Sequence, residues 1–228
     1  YTLLDRIGRR CTVNERGMQL YHKIVQVLEA IEDLEQSTAG IEKQALLRIG
    51  SSITIANMWL PSLIQQFRTL CPQTPVQVQV DRASEIVRKV LANEVDIGFT
   101  EGVCEEDSLF KLPFSRYRLS FVCRHDLPAA KLKTLSLDQL QAQNWLLREP
   151  GSAIRDSLDS SLRLHQLQIK PTWESVNSQA LKQAALAGLG IALLPEEMVQ
   201  KPLQTGKLVE VQIEGIELEN QNWMILHR

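Results

Sequence analysis

With 228 residues, 44% hydrophobic and 23% charged, the chain has the composition of globular material, long enough for one large core or two smaller ones. Its net charge of −2 excludes a generally cationic surface that would hold nucleic acid by bulk charge, so any DNA contact must be local. Four scattered cysteines, Cys11, Cys71, Cys104 and Cys123, make no ligand or disulfide pattern, no apolar run reaches the roughly 18 residues of a membrane span, and no signal-peptide core is present, which together point to a reduced, cytoplasmic protein without metal or membrane.

In chain order, the first element is a helix over residues 18–40. Leu20, Ile24, Val27, Ile31 and Leu34 step by 4, 3, 4 and 3 residues, the a/d seam of a short coiled coil, and Gly40 is expected to end it. The seam suggests a dimerisation helix; an amphipathic helix packed on its own domain is the alternative. From Leu46 the rhythm changes. "LLRIG" reads as a buried strand, Ile53 to Leu70 as a helix started or kinked by Pro61, "VQVQV" as an alternating strand, "SEIVRKVLAN" as a helix capped by Ser84, and "VDIGFTE" as a third strand.

"RYRLSFVCR" (116–124) reads as a strand crossing into a second half, which repeats the first. "NWLLRE" is a strand, "PGS" a turn, Ala153 to Leu164 a helix, "PTWES" a strand, Asn177 to Ala187 a helix closed by Gly188, and "GIALLP" a strand. "LVEVQI" and "NWMILHR" add further strands. The expected fold is α/β, two βαβαβ lobes preceded by a long helix.

Ligands of open parallel sheets sit beyond the carboxyl ends of the strands, where helix N-termini present unpaired N–H groups. In both halves the first strand runs into serines at a helix start: Ser51 and Ser52 in one, Ser152 in the other. Thr54 also follows the first strand, and Thr100, Glu101, Ser175 and Asn177 follow other strand ends. Arg148 and Arg155 flank the Ser152 helix start, where the helix dipole favours negative charge, and a bound anion would supply it. Yet a serine cap contributes about 1 kcal/mol on helices that bind nothing, Asn177 can equally be a plain cap, and Glu101 can be a solvated loop carboxylate. Scattered His22, His125, His165 and His227 form no catalytic or metal pattern, the four tryptophans suit a core better than a base-stacking platform, and "GLGIA" reads as a tight helix-to-strand turn.

Five stretches carry a resemblance. "LLDRIGRRCTVNERGMQLY" is similar to the wing of the winged helix-turn-helix of LysR-type transcriptional regulators, running into their linker helix. "LLRIGSSITIANMWLP", "VDIGFTEG", "REPGSAIR" and "ALKQAALAGLGIALLP" resemble successive landmarks of their effector-binding domain. The resemblance covers nearly the whole chain. It implies a two-lobed fold like the type 2 periplasmic binding proteins, with a wing remnant at 1–17, a linker helix at 18–40, lobe I at 46–116 and lobe II at 117–228. It also implies that Arg6, Arg9 and Arg10 lie along DNA phosphate, that the Leu20 to Leu34 helix dimerises, and that Ser52, Thr54, Thr100 and Ser152 are pocket positions. In such regulators a small effector shifts a homodimer or homotetramer between arrangements on DNA. Because the sequence begins inside the wing, without the recognition helix, it is expected to be a piece of a longer regulator. Ile154, where relatives carry Thr or Gly, is expected to narrow the pocket. The landmarks most resemble the branch regulating sulfur assimilation and carbon dioxide fixation, implying a small anionic effector, an oxyanion such as sulfite. The rival reading is a solute-binding protein for transport, which shares the fold; an enzyme would need an acid/base pair that the strand ends do not supply.

Overall fold

The computed structural model describes residues 2–7, 10–102 and 106–228; for residues 4–7, 10, 11, 30 and 32–44 only the backbone is described. The chain divides into two compact units, residues 1–46 with 70–75, and residues 47–69 with 76–228.

In the first unit, β1 (Leu4–Ile7) and β2 (Arg10–Val13) form an antiparallel hairpin, followed by α1 (Glu15–Gln44). Asn14 opens the helix, its Oδ1 accepting the Gly17 N–H at 2.9 Å. A side chain at position 17 would collide with the Leu3 carbonyl, so the hairpin can return against the helix start only over a glycine. Gly40 does not end α1, contrary to expectation. An interior glycine costs a helix about 1 kcal/mol, which a 30-residue run absorbs when nothing else turns the chain. Leu20, Ile24, Val27 and Ile31 lie exposed along this helix; the Leu34 side chain lies outside the described residues.

The second unit is built on β3 (Leu47–Ser52), α2 (Ile53–Met58), α3 (Leu60–Leu70), β4 (Val76–Asp81), α4 (Ala83–Leu91), β5 (Ile97–Glu101) and β6 (Leu109–Arg124). There follow α5 (Pro128–Leu132), β7 (Thr134–Leu135), a 3-10 turn (Leu137–Ala142), β8 (Trp145–Arg148), α6 (Ala153–Leu164), β9 (Pro171–Ser175), α7 (Ser178–Leu186) and β10 (Ile191–Pro195). The chain ends with α8 (Glu196–Gln204), β11 (Leu208–Glu210), β12 (Gln212–Ile213) and β13 (Leu218–His227). One nine-stranded sheet runs β4-β3-β5-β13-β6-β10-β8-β9, with β11 added on β6. Its two ends repeat one parallel pattern, β4-β3-β5 and β9-β8-β10, each with its first strand in the middle. These are the two expected lobes.

Antiparallel β6 and β13 join them. β6 pairs β13 from Leu109–His227 to Leu119–Leu218, then pairs β10 in lobe II. The expected boundaries assign "NWMILHR" wholly to lobe II; instead Asn222 to Ile225 pair with Glu101 to Gly98 of β5, so the chain returns to lobe I on its last strand. Both connections between the lobes are therefore extended strands.

Strands buried on both faces show the period of two. Trp145 and Leu147 of β8 and Ile191 and Leu193 of β10 fill one core of lobe II, while Leu146, Ala192 and Leu194 fill the core on the opposite face. Lobe I has smaller cores, around Val90, Val95, Leu109 and Ile225 on one side and Ile49, Ile55 and Leu60 on the other.

Two expectations need correction. The helix expected over 53–70 breaks at Trp59, and Pro61 sits in the first turn of α3, where its missing N–H costs nothing. α4 starts after Arg82 with no side-chain cap, so Ser84 is inside the helix. The alternating stretch forms strand β4 as expected, at the sheet edge; Val76 packs on the core of Ile49, Ile55 and Leu60, whereas Val78 and Val80 are 40% and 52% exposed.

Candidate functional site

The carboxyl ends of β3, β5 and β8 and the starts of α2, α6 and α7 meet between the lobes. β3 delivers Ser51 and Ser52. Ser52 caps α2, accepting the Ile55 N–H at 3.4 Å, while Ser51 donates to the Ser52 carbonyl at 3.1 Å. One turn on, Thr54 is buried and faces Arg148 of β8, whose Nη1 lies 3.5 Å from Thr54 Oγ1 in lobe I and 3.1 Å from Ser178 Oγ in lobe II. The guanidinium's other edge, Nε and Nη2, holds the neighbouring Glu149 carboxylate at 2.8 and 3.0 Å. Both side chains of this pair are nearly sealed from solvent, 4% and 8% exposed.

Glu101, from the end of β5, is buried here too. The carboxyl is pushed up to about 7, first because burial strips it of water; the Thr54 hydroxyl, the charge of Arg148 and the Ser52 and Tyr117 hydroxyls pull it back only in part. Its Oε2, like Thr100 Oγ1, has no hydrogen-bond partner. Tyr117 of β6 is anchored by Asn220 of β13, which donates to its hydroxyl at 3.0 Å and itself accepts from Ser157 of α6. Burial and the neighbouring Glu101 charge hold the Tyr117 phenol well above its ordinary range, so it stays a donor.

Thr100, Glu101 and Asn220 also border a cavity of about 830 Å³ between α4, α6 and the hinge strands, closed on one side by Ala153. A second cavity of about 800 Å³, beneath residues 210–219 of lobe II, contains none of the expected site residues.

The structure thus brings together Ser52, Thr54, Thr100, Glu101 and Arg148, with Ser51 behind them. It does not bring in the rest. Ser152 caps α6, accepting the Arg155 N–H at 3.4 Å. Ser175 accepts the Asn177 N–H and Asn177 caps α7 through Gln179, both at the exposed surface. Ile154 points into the lobe II core and narrows no pocket. The negative charge missing around the α6 start is supplied from within: Glu149 neutralises Arg148, while Arg155 binds both oxygens of Asp159 at 2.9 Å and donates to the Arg148 carbonyl at 3.2 Å. Glu149, Ser178, Tyr117 and Asn220 were not among the expected residues. The doublet "RE" at 148–149 and the alternation of Tyr117, Leu119 and Phe121 were the available signals. Of the tryptophans, Trp145 is core, but Trp173 is 44% exposed on edge strand β9. Arg6 and Arg10 stand on the β1–β2 hairpin, with side chains outside the described residues, as is Arg9 altogether. Among the described residues no cluster of His, Cys, Asp or Glu could hold a metal ion, and no helix is long and apolar enough to cross a membrane.

Comparison with known proteins agrees with this architecture. The family described as LysR substrate binding domain matches residues 41–228. The uncharacterized HTH-type transcriptional regulator YeiE of Escherichia coli K12 is 35% identical over 226 residues, covering 99% of this chain and 76% of its own. Among solved structures, the regulatory domain of CcmR from Synechocystis PCC6803, in complex with 2-PG, superposes with a TM-score of 0.70 at 23% identity, covering 80% of this chain and 87% of that one. The bromide-bound regulatory domain of HypT from Salmonella typhimurium gives 0.68 at 20% identity, covering 81% and 87%. YeiE is named as a transcriptional regulator, not as an enzyme or a transport receptor.

Proposed function

The chain belongs to the LysR family of transcriptional regulators, and from that membership we propose that its interlobe cleft senses a small anionic effector, an oxyanion such as sulfite. The observation that carries this reading is Arg148, a buried guanidinium at the end of β8 that reaches hydroxyls of both lobes, Thr54 and Ser178. Arginine's fixed fork suits oxyanions, and two hydroxyls beside it complete a donor set. The 2-PG on the CcmR domain and the bromide on the HypT domain support an anion in this fold.

Acting as a regulator of this family, the chain would lay Arg6, Arg9 and Arg10 along DNA phosphates and the α1 seam would pair two chains into a homodimer, or a homotetramer by further pairing, within the cytoplasm. Effector occupancy would then bias the assembly between arrangements on DNA.

A thermal-unfolding screen against sulfite, sulfate, thiosulfate, phosphate, phosphoglycolate and aromatic carboxylates tests the sensor. An effector at about 100 times its dissociation constant stabilises the fold by roughly 2.7 kcal/mol, a readable shift in midpoint. One oxyanion should raise the midpoint, and Arg148→Gln should abolish the rise. A rise with uncharged compounds alone would remove the anionic reading and leave the sensor.

A further inference from the structure

The contact that answers the charge problem at the α6 start also fills the place where an oxyanion would bind. Glu149 engages Arg148 through both carboxylate oxygens on the Nε–Nη2 edge, at 2.8 and 3.0 Å, while Nη1 is left to Thr54 and Ser178. That edge is the one an oxyanion with two oxygens on one face would take. Sequence neighbours gain little fold stability from pairing in a buried place, because both charges must first be stripped of water. A second cation waits beside the carboxylate. Arg82, at the start of α4 in lobe I, stands 3.9 Å from Glu149 Oε1, and its side chain is 53% exposed.

We propose that Glu149 is a tethered stand-in for the effector: an entering oxyanion displaces its carboxylate from Arg148, and the freed carboxylate passes to Arg82. The inference rests on the reading of the cleft as an oxyanion sensor and adds a specificity and a regulation to it. The displaced group defines the ligand class, since what replaces a carboxylate on a guanidinium edge presents two oxygens at carboxylate spacing. Sulfite, phosphate and carboxylates qualify; a spherical halide does not. The exchange also changes how closely charges meet between lobes. Before it, Glu149 Oε1 is held by Arg148 Nη2 of its own lobe at 3.0 Å and only loosely paired with Arg82 of lobe I at 3.9 Å; after it, Arg82 holds the carboxylate directly, so occupancy tightens an interlobe ion pair.

Calorimetric titration of the intact chain with sulfite, inorganic phosphate and bromide tests this, using wild type, Glu149→Gln, Arg82→Ala and the double variant. Removing the built-in competitor should tighten sulfite or phosphate binding at least tenfold in Glu149→Gln, with bromide no better than before. Arg82→Ala should weaken the wild type severalfold and have no effect in the Glu149→Gln background, a coupling that merely additive roles would not give. Equal or weaker oxyanion binding by Glu149→Gln overturns the inference while leaving the sensor intact. If neither protein takes any oxyanion but another compound binds the cleft, the inference falls together with the anionic reading. Should Glu149→Gln not fold, Arg82→Ala decides alone, and unchanged affinity overturns the proposal.

Discussion

At Glu101, burial and charge are in open conflict. The side chain is 7% exposed, one oxygen is unpartnered, and Arg148, the nearest source of positive charge, is already engaged by Glu149. The folded chain therefore keeps this proton up to a pH of about 7, whereas an unfolded one releases it near the ordinary 4.5. Between those values the unfolded state binds fewer protons, so stability falls as pH rises, and above 7 the full cost is present. Glu101→Gln, which keeps the shape and removes the charge, should stabilise the protein at pH 8 by roughly 3 kcal/mol and leave it unchanged at pH 4. Urea unfolding of both proteins at pH 4, 6 and 8 checks this; equal stability at pH 8 would mean that the carboxylate finds water or a cation in solution.

The elements read correctly from sequence are those with a local signal. α6 has Ser152 before it and Arg163 in its last turn, and β9 alternates between a Pro and an Asn cap; both have the expected bounds. α8 was not foreseen, since it begins directly after Pro195 without a capping side chain and carries Pro202 within it. The site was half legible for a related reason. Ser52, Thr54 and Thr100 follow from strand ends, but Arg148 meets Thr54 across 94 positions and Asn220 meets Tyr117 across 103, and no local rule reports such pairings. α1 is the opposite case, an element whose seam is plain in sequence and whose apolar residues stay exposed in the single chain. A 30-residue helix gains most of its stability from packing rather than propensity. Ile24→Lys combined with Ile31→Lys should convert a sedimenting dimer into monomer and lower the helical signal in circular dichroism. A wild-type chain that sediments as monomer would return α1 to a helix that packs on its own unit.

At the scale of the whole second unit, the two lobes are joined by the extended strands β6 and β13 and by side-chain packing across the joint. Trp59, at the break between α2 and α3, belongs to lobe I yet packs against cores of both lobes, meets the Tyr117 ring in a tilted contact with centroids 5.2 Å apart and comes within hydrogen-bonding reach of Glu197 on α8. Met58 beside it packs on the other lobe II core. In a cleft held this way, the proposed effector would spend little of its binding free energy on closing the lobes, and its main cost would be the displacement of Glu149 from Arg148. Trp59→Ala should therefore act twice. It should lower stability by about 3 kcal/mol through the cavity left between the cores. It should also weaken effector binding, by about tenfold if the closed arrangement loses roughly 1.4 kcal/mol relative to an open one. Trp59→Phe, which keeps an aromatic ring against Tyr117, should restore most of the affinity. Unfolding in urea and effector titration on the same samples separate the two effects, because a stability loss with unchanged affinity would make Trp59 core packing alone and leave the closed lobes to Arg148, Thr54 and the hinge strands.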